Sequence, residues 1–310
     1  MYHRFEENKY PSTNIKLNDF LEHIKIIKNS SLIFVHPSDF QKKLEIDKDE
    51  KKILLTIDDA FLSFYENAWP ILKKEKIPFI LFVSTREVGK YNYMTWDQIR
   101  EVANESFAHI GNHSHSHEYL IDKNEIEITD DIKFSISKIQ KEIGYKSEFF
   151  SYPFGEYSIL FKEIIKKLGF KYAFGQHSGV IDSTKDYYEL PRFPINEKYG
   201  NIKRFKTLIN TLPLKYKEIL PVEKYINKNN NPPKVTIQFF ENIKNLNSIK
   251  CYSNEKNTWR ESKIKFLNNF KIEILLQGEF TTERGRINCS IREDGFGWRW
   301  LGIQFVVAEK

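Results

Sequence analysis

Up to about residue 220 this chain alternates short apolar, β-prone runs with longer segments of helical period, and beyond that point the alternation stops. The apolar runs are KKILLTID, PFILFVS, FAHIGN, FFSYPF and KYAFG; between them lie FLSFYENAWPILKKEK, TWDQIREVAN, DDIKFSISKIQKEIG and ILFKEIIKKLG. A strand covered on both faces reads as a continuous apolar run, and a helix that covers it reads as an amphipathic repeat. The order therefore predicts parallel strands joined by covering helices, with MYHRF as the tail of a first strand. Later, VTIQFF, IKCYS, KIKFLN, FKIEILLQ, GRINCSI and WRWLGIQFVV follow one another with only turn residues between them, which predicts a small β-sandwich. The changeover falls at KYINKNNNPPK, where Pro-Pro neither continues a helix nor pairs in a central strand. The expected division is an α/β unit over 1–220, a linker over 221–233 and an all-β accessory domain over 234–310.

Composition narrows the function. With 310 residues, 40% of them hydrophobic, the chain can bury one large core or two smaller ones. The 48 Lys and Arg against 42 Asp and Glu are scattered through every segment, so no nucleic-acid partner is expected. No apolar run reaches the ~20 residues of a membrane-spanning helix, and the opening MYHRFEENKYPS lacks the apolar stretch of a secretory signal. Cys251 and Cys289 are too few for a disulfide framework and have no metal spacing. They fit either two small buried hydrophobes or one disulfide, depending on the redox compartment.

In a parallel βα architecture the chemistry is expected where strands end. KKILLTIDDAF stops at Asp58-Asp59, two adjacent carboxylates that fit either a helix N-cap or a site in which a bend or a cation brings them together. FAHIGN runs into His113-Ser114-His115-Ser116-His117, and with His109 this stretch holds four of the eight histidines. His113 and His117 share one side of a helical turn, whereas an extended chain would align His113, His115 and His117; either geometry makes a chelating pair. A carboxylate from Asp58-Asp59 would complete a His-His-Asp set with an open position, the pattern of a catalytic centre, and nitrogen and oxygen donors without thiolate suit Zn2+, with Co2+, Ni2+ or Mn2+ also fitting. FFSYPFGEYS turns at Pro153 and Gly155 and presents backbone N–H groups that fit a structural turn or an oxyanion site.

Taken in order, TIDDAF, NHSHSH and SYPFG resemble the motifs of the polysaccharide deacetylases of carbohydrate esterase family 4, the NodB-type domain, over residues 1 to about 215. The resemblance implies a distorted (β/α) barrel with fewer units than the eight-stranded form, and a metal-dependent hydrolase that removes N-acetyl groups from an acetylated amino-sugar polymer. It makes Asp59, His113 and His117 the metal ligands and Asp58 the general base, leaving His115 at the variable position of its motif. The Phe154 N–H is then the oxyanion donor, and His177, in YAFGQHSGV, the source of the proton for the departing amine.

Two departures from the family pattern matter. Ala60 replaces the usual glycine after the aspartates, and Ser151 stands where many members carry an arginine that steadies the catalytic aspartate. Arg192, in LPRFP, is the expected substitute cation. Every candidate precedes residue 221, so the first domain is expected to hold the chemistry alone. Trp96 reads as a helix-start core residue, and Trp298 and Trp300 share one face of a late strand. A small or cyclic amide is the alternative substrate, and a silent glycan-binding protein the alternative class. The resemblance points to the periplasm or cell envelope, the missing signal to the cytoplasm.

Overall fold

The five apolar runs form a single parallel sheet whose strands are hydrogen-bonded in chain order: β1 (Leu55–Ile57), β2 (Phe79–Val83), β3 (Ala108–Asn112), β4 (Phe149–Ser151) and β5 (Tyr172–Phe174). The structure is a computed structural model that describes residues 1–46, 51–241, 243–293 and 297–308. β2 shows why its run is unbroken. Phe79, Leu81 and Val83 join a core with Trp69, Ile99 and Val102 from the covering helices, while Ile80 and Phe82 face Phe149, Tyr172 and Phe174 on the other side. The intervening helices Trp96–Ala103 and Glu125–Ile143 both begin with a capping box, from Thr95 and Asn124, and the longer one ends at Gly144 in the left-handed conformation.

The sheet closes on itself through irregular chain. Tyr2 pairs in parallel with Ile57 at one edge, and Leu190 pairs with Phe174 at the other. The segment after Leu190 then meets the first residues, with the Ile195 N–H donating to the Met1 carbonyl at 3.0 Å. The result is the distorted barrel that the motif resemblance implies, sealed by two short edges instead of further βα units. Among the described residues no helix is long and apolar enough to cross a membrane.

The second domain is all β. Its strands are β6 (Leu212–Pro213), β7 (Tyr216–Leu220), β8 (Tyr225–Ile226), β9 (Val235–Phe239), β10 (Lys250–Ser253), β11 (Arg260–Asn268), β12 (Lys271–Leu275), β13 (Arg284–Glu293) and β14 (Gly297–Val307). β11 serves both layers: its first residues pair with β10 and its later ones with β12. Ile237, Ile272 and Ile274 from one layer and Ile287, Ile291 and Ile303 from the other share one core. β13 alternates inside and outside along its length, as a strand with one covered face must.

Two expectations are decided here. Cys251 and Cys289 lie opposite each other on β10 and β13 and form a disulfide. The chain enters the second domain at Leu212, earlier than the expected 221–233 linker. β6 pairs with β14, β7 pairs with β9, and β8, inside the supposed linker, pairs with β14. The Asn-Pro-Pro stretch is also fixed, since the Asn231 side chain exchanges two 2.9 Å hydrogen bonds with the backbone of Phe280. A side-chain amide there replaces the ladder bonds that proline cannot make, which is why a proline pair looks like a break in sequence and behaves as an anchored edge.

Candidate active site

β1 ends at Ile57, Asp58 follows it, and the chain then turns sharply, with φ of 76° at Asp59 and 53° at Ala60. That bend sends the two adjacent carboxylates to different partners and removes the helix-cap alternative. Ala60 therefore occupies the left-handed position that a glycine takes without strain, at a cost of about 1 kcal/mol. Ser114 (68°), His117 (52°) and Phe154 (58°) are left-handed as well, so backbone strain is concentrated around this strand end.

The histidine loop is built by the polar residues of its own motif. The Asn112 side chain is locked to Ser135 and accepts the Ser114 N–H at 2.9 Å, while Ser114 Oγ accepts the His117 N–H at 3.0 Å. Asp131, on the helix Glu125–Ile143, accepts the N–H groups of His115 and Ser116 at 2.7 and 3.0 Å. The loop so held aims His113 and His117 at Asp59, with Nε2 to Oδ1 distances of 3.3 and 3.2 Å. His113 Nδ1 donates to the Ser151 carbonyl at 2.6 Å, which leaves the Nε2 lone pair facing the cluster. His115 turns away to Thr85, at 2.8 Å, and packs on Phe134.

Asp59, His113 and His117 each offer one donor atom, all within 4.8 Å of one another. Two imidazoles and a carboxylate, one imidazole with its tautomer set by a carbonyl, fit a divalent cation with open coordination positions. Burial acts to raise the Asp59 pKa, but His117 and His113 hold the carboxyl well below the usual range, so it presents an anion to the cluster.

Asp58 lies beside this cluster, fully buried, and takes a bidentate pair from Arg192 with both contacts at 2.8 Å. The guanidinium spends its remaining donors on Gly175 O, Thr56 Oγ1 and Ser151 Oγ, at 2.9, 3.2 and 2.8 Å. Five bonds satisfy five N–H groups, which is what a buried cation requires. Ser151 Oγ in turn donates to Asp58 at 3.2 Å. Burial pushes the Asp58 pKa up, yet Arg192, with His113 and His3, outweighs it and holds the carboxyl below its ordinary value.

The turn Pro153–Gly155 places the Phe154 ring edge-on to His117 at 4.7 Å, with Tyr119 stacked on its other side at 4.4 Å. Trp96 packs beside the core at the start of its helix, as expected. His177 is different. It is buried against Tyr157, its Nδ1 lacks a hydrogen-bond partner, and burial, aided by Lys224, Lys185 and Arg192, pushes its pKa down to about 3. A neutral imidazole of this kind lacks the acidic imidazolium proton near neutrality and is a poor general acid.

Two residues near the site escape sequence reasoning. Asp131 gives no signal beyond an acid in a helix. His3 emerges beside Asp58 because Tyr2 pairs with Ile57, and burial holds its pKa below the ordinary value, offset only in part by Asp59 and Asp58; a histidine in a strand-like first segment was its only mark.

Comparison with known proteins agrees with this geometry. A family model described as polysaccharide deacetylase matches residues 45–173. The poly-beta-1,6-N-acetyl-D-glucosamine N-deacetylase of Staphylococcus aureus (strain MRSA252) is 28% identical over 201 residues, covering 59% of this chain and 68% of that protein. IcaB from Ammonifex degensii superposes with a TM-score of 0.62 at 24% identity, covering 67% of this chain and 94% of that one. The Streptococcus pyogenes deacetylase PplD, in complex with acetate, gives 0.61 at 21%, covering 67% and 96%. These two likenesses establish the fold. The family match spans Asp58, Asp59, His113, His117 and Phe154, so the part of this chain that carries the site is similar to the polysaccharide deacetylase family.

Proposed function

We propose that the protein is a metal-dependent N-deacetylase acting on an acetylated amino-sugar polymer, with poly-β-1,6-N-acetylglucosamine the first substrate to test. The observation that carries this reading is the convergence of Asp59, His113 and His117 next to a separate carboxylate, Asp58, that is clamped by arginine. The polymer is suggested by the staphylococcal relative.

A divalent cation held by those three residues would supply Lewis acidity and lower the pKa of water. Asp58 is the base: it takes the proton of the attacking water while Arg192 keeps both its oxygens oriented. The Phe154 N–H shares the charge that develops on the amide oxygen. As the C–N bond breaks, the departing amine needs a proton. His177, neutral and buried, does not provide it. Asp58 does: its anion is stabilised by Arg192, so the carboxyl that has taken the water proton is a strong acid and returns that proton to nitrogen. Water and amide thus give acetic acid and a free amine, which leave as acetate and an ammonium group once the acid proton passes to the amine, with atoms and charge balanced. The Cys251–Cys289 disulfide supports a location outside the reducing cytosol.

The test is acetate release from β-1,6-linked N-acetylglucosamine oligomers by chain stripped of metal and then reloaded with Zn2+, Co2+, Ni2+ or Mn2+. Release that depends on metal is expected. Loaded, folded protein that liberates no acetate from β-1,6- or β-1,4-linked oligomers would overturn the proposal.

A further inference from the structure

We infer that the β domain is a working part of the active site: Arg284, on β13, is a positioning residue that holds the Pro153–Glu156 turn and thereby Phe154. The inference rests on the deacetylase reading above.

The turn is conformationally unusual, with two successive left-handed residues, Phe154 (φ 58°) and Gly155 (φ 71°). A side chain at Gly155 would meet the Gln176 backbone at 2.4 Å, so the turn is also pressed from behind. Such a conformation persists only when its surroundings determine it. Part of that determination comes from the second domain. Arg284 Nε donates to Glu156 Oε1 at 2.6 Å, and its guanidinium carbon lies 5.3 Å from the centre of the Phe154 ring. Gln304 Nε2, on β14, donates to the Gly155 carbonyl at 3.2 Å. Glu156 is 2% exposed, and burial pushes its pKa up to about 7 against the lowering by Arg284, so removing Arg284 leaves a buried carboxyl that must take up a proton or find another partner.

The two domains are also joined along their backbones. Gly179 pairs with Leu301, and a Cβ on Gly302 would lie 2.2 Å from the Ser178 carbonyl. Arg284 therefore reaches the turn from a fixed base. The ring it braces touches His117, and the N–H of the same residue is the proposed oxyanion donor. A donor must sit within hydrogen-bond reach of where charge develops, so a turn that relaxes loses catalysis before it loses binding.

The experiment compares Arg284→Met, Arg284→Lys and Tyr225→Phe in the full chain loaded with Zn2+. Tyr225→Phe cuts a different bond between the domains, to Asp122 at 2.6 Å, and serves as the control for a merely loosened interface. Arg284→Met is expected to lower kcat on an N-acetylglucosamine oligomer about 10–100-fold, with KM within about threefold and Zn2+ content unchanged. Arg284→Lys should recover part of the loss, and Tyr225→Phe should match the parent. Amide hydrogen exchange over residues 150–158 should quicken in Arg284→Met alone, a readout that needs no turnover. Parent-like kcat in folded Arg284→Met overturns the inference whatever the exchange shows, and so does an equal kcat loss in Tyr225→Phe. If the parent itself releases no acetate, the deacetylase reading fails; exchange then decides the clamp by itself, and parent-like exchange in Arg284→Met overturns it.

Discussion

The two sides of this site are held in different ways. Asp58, Asp59, His113 and His117 are fixed within the first domain, by strand ends, by the motif's own serines and asparagine, and by Arg192 and Asp131. The Phe154 turn is fixed partly from outside it, by Arg284 and Gln304. The carboxylate–histidine side is a product of local chain geometry on a parallel sheet. The turn side is in addition contacted by the second domain, through Arg284 and Gln304. On the inference above, a domain boundary drawn through the sequence does not divide the function in the same place.

The largest effects should come from breaking the first side. His113→Ala removes a proposed ligand whose orientation is set by the Ser151 carbonyl, so bound metal and activity should vanish together, read by metal analysis and acetate release. Asp58→Asn separates the two roles: metal content should stay at the parent level while kcat drops about 10²–10⁴-fold. Equal metal loss in both variants would make Asp58 a ligand and end its assignment as base.

Arg192→Met attacks the same side through stability. It leaves Asp58 buried without its partner, which should cost about 3–5 kcal/mol of unfolding free energy in urea titration. A loss of under about 1 kcal/mol, the range of exposed ion pairs, would mean that the clamp is not what holds the carboxylate.

The second side is sharpened by removing the disulfide. Changing both Cys251 and Cys289 to Ala opens a bridge with a sequence separation of 38 residues inside the β-domain core. A loss of about 2–4 kcal/mol is expected. The unfolding midpoint seen by the second domain should fall first, and amide exchange at 150–158 should follow it, whereas metal affinity should not change. Metal affinity that falls in step would show the two sides to be one cooperative unit.

The smallest effect concerns pH. His177, at the join between the domains, has a folded pKa of about 3 against an ordinary value of 6.5. Between those values the unfolded chain binds a proton that the folded chain does not, so stability is full above about pH 6.5 and is lost as the pH falls. His177→Gln should therefore lose less melting temperature between pH 7.5 and pH 5 than the parent does. An identical pH response in both would remove His177 from the account.

Much of the first side was readable in one dimension. Asp58, Asp59, His113 and His117 lie at strand ends, and a strand end is where a continuous apolar run stops and a polar residue begins. Arg192 was legible only through the motif resemblance, as the cation it implies once Ser151 stands in an arginine's place; its five hydrogen bonds go to residues on or next to β1, β4 and β5. The burial of His177 was not legible, because one histidine after a strand carries no information about its surroundings. The linker was misread because Pro-Pro marks a missing donor, and a strand edge tolerates a missing donor when a side chain such as Asn231 makes the bond instead.

The sequence by itself determined the parallel order of strands, the run of strands that forms the second β layer and the pairing of His113 with His117, because each follows from periodicity or from residues close together in the chain. Only the tertiary structure decided that Cys251 and Cys289 are bonded, that Met1 and Tyr2 seal the sheet beside Asp58, and that Arg284 reaches Glu156 across 128 residues of chain. The physical reason is the same in each case. A pairing between distant segments depends on which surfaces two folded layers bring together, and no local propensity or spacing encodes that.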